Sequence, residues 1–280
     1  MKYKRITIIG MGLIGGSVGK ALMEGSLAEE VIGVCRRQSS LDRAIKGKSL
    51  TKGYVNNYEE ATAGAEIVII ATPVHTENEV LEGLAFAIKD PATIVTDAGS
   101  TKKVIVDTAA GFSDKFSFVG GHPLAGSEKA GVEYSDAGFF QGSLCVLTKG
   151  ASTVEKDIES VKELWQAIGA DVEVTTPEKH DEILSFTSHL PHIVAYALSG
   201  VQKEEYFKYM STGFKDTTRI AASDPRLWKD IFLSNRDNVL SSVACLRELL
   251  SEIEKSLRNN REEDLEEILK MCKKVRDEAV

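Results

Sequence analysis

Residues 6–16 read ITIIGMGLIGG: four β-branched residues, then glycines at 10, 12, 15 and 16 interleaved with Met11, Leu13 and Ile14. The apolar run predicts a strand ending at Gly10, and the glycine-spaced segment after it predicts a turn into a helix. Gly10, Gly12 and Gly15 fit G-x-G-x-x-G in that setting. The first glycine permits the tight turn, the second lets a pyrophosphate reach the backbone, and the third lets helix and strand pack closely. The helix N-terminus, with Leu13 and Ile14 in its first turn, offers N–H groups and partial positive charge to an anion. A dinucleotide site on Gly10, Gly12, Leu13, Ile14 and Gly15 is expected.

Downstream, VIGV (31–34), IVIIAT (67–72), TIVTD (93–97), FSFVGG (116–121), LCVLT (144–148) and VEVTT (172–176) are further short apolar runs closed by turn residues. Such continuous runs suit strands covered on both faces, as in a parallel sheet. Helical patterns lie between them, the clearest at Val154, Ile158, Val161, Leu164, Trp165 and Ile168, with Ser152-x-x-Glu155 as a capping box. After Thr176-Pro177, an N-cap and N1 pair, nothing alternates like a strand. Leu246, Leu249, Leu250, Ile253 and Leu257, then Leu265, Ile268, Leu269, Cys272 and Val275, recur at helical spacing opposite charged faces. The expected fold is a Rossmann-type doubly wound α/β domain over residues 1–176. An all-α substrate and dimerisation domain follows over 177–280, giving a homodimer; the plain alternative is a monomeric helical lid.

The chain has 280 residues, 42% hydrophobic and 27% charged, with a formal net charge of −8. That length suits about two domains. The acidic balance argues against a nucleic-acid partner, whose footprint would be basic, and gives no polybasic patch for a membrane surface. Cys35, Cys145, Cys245 and Cys272 form no CxxC pair, which disfavours zinc or a disulfide framework and fits a reducing compartment. No run approaches the roughly 20 apolar residues of a membrane span. A cytoplasmic enzyme acting on a small molecule is expected.

Dinucleotide folds of this kind place an Asp or Glu about 20 residues beyond the glycines to hold the ribose hydroxyls. Here that position is Cys35, in VIGVCRRQSS (31–40). A thiol cannot accept two ribose hydroxyls as a carboxylate does. Arg36, Arg37 and Ser39 follow it, and guanidinium forks suit a 2′-phosphate. NADP is favoured over NAD; the plain alternative is a solvated loop.

The ordered set GxGxxGG (10–16), ATP (71–73), DAGSTK (97–102), GGHPLAGSE (120–128), HD (180–181), SHLPH (188–192) and GFKDTTRIA (213–221) resembles the prephenate dehydrogenase family, which includes arogenate and cyclohexadienyl dehydrogenases. The resemblance runs from Gly10 to about Asn235. It implies oxidative decarboxylation of prephenate to 4-hydroxyphenylpyruvate on the way to tyrosine. A ring alcohol loses hydride to nicotinamide, CO2 leaves, and the ring becomes aromatic.

On that resemblance His122 is the general base, with Ser100 sharing the substrate hydroxyl and Thr101 as the neighbour that could do so instead. Arg219 is the carboxylate-binding cation, unless a salt bridge to Asp216 occupies it. His192 contacts the pyruvyl side chain. Glu128 and Asp216 gate the mouth, Trp228 reaches in from a dimer partner, and His180 sits near the cofactor or domain junction or caps a helix. Thr72 and Pro73 shape the backbone against the dinucleotide, with His75 a bystander. His189 and His192 have no third ligand at fitting spacing, so no metal is expected. The missing acid at Cys35 departs from an NAD pattern. No chorismate mutase is expected before the first strand, and no small regulatory domain after the last helix. Arogenate dehydrogenase is the nearest alternative. β-Hydroxyacid dehydrogenases would not need the histidine of GHPLAGSE, and a non-catalytic NADP(H) sensor would make His122 and Arg219 dispensable.

Overall fold

Alternation within the apolar runs builds two cores on one sheet. In the computed structural model, which describes residues 3–127 and 129–279, Ile6, Ile8, Val31, Ile67 and Ile69 face one layer of helices. Ile9, Ile32, Val34, Val68 and Ile70 face the other. Strands buried on both faces are therefore apolar throughout. The strands are β1 (Tyr3–Ile9), β2 (Ala28–Cys35), β3 (Lys52–Val55), β4 (Ile67–Ile70), β5 (Ile94–Asp97), β6 (Ser117–Pro123), β7 (Leu144–Thr148) and β8 (Asp171–Thr175). Their order in the sheet is β3-β2-β1-β4-β5-β6-β7-β8. The first six run parallel, in the order of a doubly wound nucleotide fold.

Two features depart from the expectation. β3, of sequence KGYV, is an eighth strand beyond the seven that the apolar runs predict; it is short, polar and paired only to β2, so it has no two-sided burial to mark it. β7 pairs antiparallel to β6, and β8 returns parallel to β7. A parallel partner needs a crossover, usually a helix. Among its described residues the segment 124–143 has only a 3₁₀ turn at Val132–Tyr134, which packs on the first helix instead.

The helices of the sheet region are α1 (Leu13–Glu24), α2 (Gln38–Lys46), α3 (Tyr58–Thr62), α4 (Glu77–Ala87), α5 (Lys103–Ala110) and α6 (Glu155–Ala167). The expected capping box does not form at α6: Val154 is its N-cap, without a side-chain bond, while Glu155 pairs with Lys149. From Pro177 the chain is helical: α7 (Pro177–Leu184), α8 (Leu190–Gly200), α9 (Thr212–Thr218), α10 (Pro225–Ser234), α11 (Arg236–Arg258) and α12 (Glu262–Ala279). Thr176 caps α7 by accepting the Lys179 N–H at 3.2 Å, and Asp224 caps α10 by accepting the Arg226 N–H at 2.8 Å. A π turn, Ser185–His189, joins α7 to α8. Pro191 cannot donate to the preceding turn, and the widened turn absorbs that break. None of the described helices is long and apolar enough to cross a membrane.

Candidate active site

Gly10, at φ +99°, lies in a backbone region closed to most residues, and a Cβ there would stand 2.5 Å from the Ala71 carbonyl oxygen. A Cβ on Gly15 would collide with the Gly10 carbonyl, so these two glycines let α1 start directly on β1 and β4. Gly12 differs: it is the N-cap of α1, makes no side-chain cap bond, and would point a Cβ into open space. Its neighbours Leu13 and Ile14 supply first-turn N–H groups without intrahelical partners. Above Gly10, the buried Thr72 hydroxyl has no partner among the described residues, and Pro73 follows it into the 3₁₀ turn Val74–Thr76. An open face, free N–H donors and an orphaned hydroxyl fit a bound dinucleotide.

At the end of β2 the Cys35 thiol is buried, which pushes its pKa up against the opposing pull of the Met11 backbone N–H in the glycine loop. Arg36, Arg37 and Ser39 are exposed, with Arg37 the N-cap of α2.

His122 stands at the carboxyl end of β6, half-buried. Its Nδ1 is 2.8 Å from His180 Nε2, and His180 Nδ1 is 2.8 Å from Asp181 Oδ1. Asp181 accepts the N–H groups of Lys102 (2.8 Å) and Lys103 (2.9 Å). Burial pushes the Asp181 carboxyl up, but His180 and these N–H donors outweigh it and hold it below the usual range. An ionised Asp181 assigns the protons along the chain: His180 Nδ1–H donates to Asp181, and His122 Nδ1–H donates to His180 Nε2. His122 Nε2 is left with a free lone pair. Burial, with the charges of His180, Lys102 and His189, pushes His122 well below the ordinary imidazole value, so it is neutral and ready to accept a proton. The arrangement is an imidazole, a second imidazole and a buried carboxylate in line, the geometry of a catalytic triad. His180, expected at a junction or helix cap, is thus directly behind His122.

His189 is buried, and its Nδ1 accepts from Asn235 Nδ2 at 3.1 Å. The same amide donates to the Asp181 carbonyl at 2.7 Å. Neither His189 nor Asn235 was marked by sequence as a site residue; a buried histidine and a helix-joint asparagine carry no local signal. His192 donates from Nδ1 to the Ser188 carbonyl at 3.0 Å, and Trp228 stacks on it with ring centroids 3.3 Å apart. Trp228, expected from a partner subunit, contacts His192 of its own chain. Arg219 is exposed in the 3₁₀ turn after α9 and close enough for its charge to press on His192. The alternative salt bridge to Asp216 does not form: Asp216 is exposed on α9, and neither residue has an ion-pair partner among those described. Ser100 is half-buried, while Thr101 is buried with its hydroxyl 2.9 Å from Ser234 Oγ on α10. His75, expected as a bystander, has its Nδ1 2.8 Å from Asp230 Oδ2 of α10. Glu128 lies outside the described residues.

Two family models match the chain: "Prephenate dehydrogenase, nucleotide-binding domain" over residues 18–174 and "Prephenate dehydrogenase, dimerization domain" over 176–271. A prephenate dehydrogenase of Bacillus subtilis is 34% identical over 279 residues, covering 97% of this chain and 74% of that protein. The crystal structure of prephenate dehydrogenase from A. aeolicus in complex with hydroxyphenyl propionate and NAD+ is 34% identical, with a TM-score of 0.92, covering 100% of this chain and 99% of that one. Synechocystis arogenate dehydrogenase is 27% identical with a TM-score of 0.86, covering 99% of this chain and all of that one. With both models together spanning most of the sequence, the chain belongs to the prephenate dehydrogenase family of oxidoreductases.

Proposed function

We propose that this chain is an NADP-dependent prephenate dehydrogenase that decarboxylates prephenate oxidatively to 4-hydroxyphenylpyruvate in tyrosine biosynthesis, working as a homodimer. The observation that carries the reading is the ordered chain from His122 through His180 to Asp181. It leaves one neutral imidazole nitrogen facing outward at the carboxyl end of β6, where open α/β sheets bind ligands.

A bound nicotinamide would supply the acceptor for the hydride of the ring carbinol carbon. His122 Nε2 takes the hydroxyl proton as that hydride departs. Positive charge arising on His122 is shared through His180 to Asp181, whose carboxylate stays ionised. As the ring carboxylate leaves as CO2, its bonding electrons aromatise the ring, and His122 returns the proton to the oxygen. Ser100 or Thr101 orients that hydroxyl, Arg219 binds a substrate carboxylate, and His192, backed by Trp228, faces the side-chain keto group. Gly10, Gly12, Leu13, Ile14, Gly15, Thr72 and Pro73 hold the dinucleotide. Arg36, Arg37 and Ser39 take its 2′-phosphate, a role supported by their exposure around the N-terminus of α2 and by the buried thiol of Cys35 standing where a ribose-binding acid is expected.

The deciding experiment is a two-by-two assay of kcat/KM for prephenate and arogenate with NADP and NAD. Prephenate with NADP should be the fastest pair. A strong arogenate preference would make the chain an arogenate dehydrogenase, and an NAD preference would return the Arg36-Arg37 run to a solvated loop.

A further inference from the structure

Two stretches of the sequence, Asp97–Lys102 and Gly120–His122, fold into one unit. β6 pairs with β5 only as far as Thr96↔Val119, and with β7 from Gly120 onward, so the sheet splits just before His122. Inside the split lies an ion pair between Lys102 Nζ and Asp97 Oδ2, both fully buried. It grips the peptide in front of His122 from both sides. Gly121 N–H donates to Asp97 Oδ1 at 2.9 Å, and Lys102 Nζ donates to the Gly121 carbonyl at 2.8 Å. Asp97 Oδ2 also accepts the Gly99 N–H at 2.8 Å, fixing the loop of Ser100 and Thr101. The Lys102 main-chain N–H goes to Asp181. One lysine is thus bonded to both ends of the histidine relay.

The double glycine before His122 belongs to the same unit. A Cβ on Gly121 would stand 2.6 Å from the Asp97 carbonyl oxygen, and one on Gly120 would meet Thr148 Oγ1 and come within 3.4 Å of Lys102 Cδ. Neither strand end tolerates a side chain while the lysine passes beneath.

A buried ion pair is a poor source of stability, because desolvation offsets its attraction. Its position next to the base points elsewhere. The charged and titratable groups around His122 are Lys102 and Asp97 from the β5 end, His180 and Asp181 from α7, His189 from the π turn, and Cys145 of β7 beside the His122 backbone. Glu77 also packs against Asp97, and burial together with Asp97 pushes its carboxyl well up.

We propose that Lys102 is a positioning residue for the reaction: with Asp97 it fixes the peptide before His122 and the loop of Ser100 and Thr101, and it sets its ammonium against a proton on the imidazole. The inference rests on His122 as the base. Its test is therefore one that reads His122 without turnover. The five histidines are labelled with ¹³C at Cε1, His122 is assigned by H122N, and its titration is followed in K102M, K102R and the charge-neutral D97N/K102M. In both methionine variants the His122 midpoint should move up toward an ordinary imidazole, with the acid limb of kcat moving alongside. Their kcat at neutral pH should fall about 10²-fold, the scale of a misplaced reacting group, with cofactor affinity kept. K102R should hold the wild-type midpoint. If K102M does not fold because Asp97 is stranded, D97N/K102M still gives the reading. A folded double variant with an unmoved His122 midpoint, or with full turnover, overturns the inference. Normal turnover in H122N would instead overturn the base assignment, whatever the titration.

Discussion

At the scale of the residue, the chemistry turns on which nitrogen of His122 is free. The Nδ1–H is committed to His180, so Nε2 is the atom that can take a proton. His122→Asn should lower kcat by roughly 10²–10⁴-fold, the usual worth of general base catalysis, while nucleotide affinity persists. Near-normal turnover would remove the assignment. The pH dependence has a definite sign. Burial, His180, Lys102 and His189 all push the imidazole down, so the base is neutral through the physiological range. The acid limb of kcat/KM should lie well below about pH 6.5, the value of an unperturbed histidine. A limb at or above that value in a pH–rate profile would mean a different group is being titrated. His122 was legible as a rare residue at the end of an apolar run. The role of His180 was not, because its partner lies 58 residues away.

At the scale of the element, helix ends place the relay. α7 carries His180 and Asp181 in its second turn, and Thr176 with Pro177 starts that helix. Thr176→Ala removes the hydroxyl that accepts the Lys179 N–H and should cost about 1 kcal/mol of stability, read as a lowered denaturation midpoint in urea. An unchanged midpoint would show that packing alone fixes the helix start. This cap was legible because Thr-Pro is a local signal. The π turn was legible only as a disturbance: Pro191 removes a backbone donor, but that alone does not say that the widening falls at Ser185–His189. The box expected at Ser152 failed because Glu155 found Lys149, a competitor that local pattern does not rank.

At the scale of the whole molecule, the helical end of the chain is incomplete by itself. α12 has no buried residue among those described, and on α11 only Val239, Ser242 and Ser256 are buried. Leu250 is 55% exposed and Leu257 59%, on the helix whose apolar stripe should face inward. A stripe of this kind calls for a partner, and the proposed homodimer would cover it with a second copy. Light scattering should give a dimer mass for the chain, and Leu250→Glu with Leu257→Glu should shift it to the monomer while helical circular dichroism is retained. A monomeric parent chain would defeat this. The sequence by itself determined the glycine cradle, the two-faced sheet and the change to helix at Pro177, because each is a local period or a local steric demand. Only the tertiary structure decided the antiparallel β7, the split that receives Asp97 and Lys102, and the order His122–His180–Asp181. These depend on which distant segments meet, and a buried polar group must find its partner in whatever packing brings near, not in its sequence neighbours.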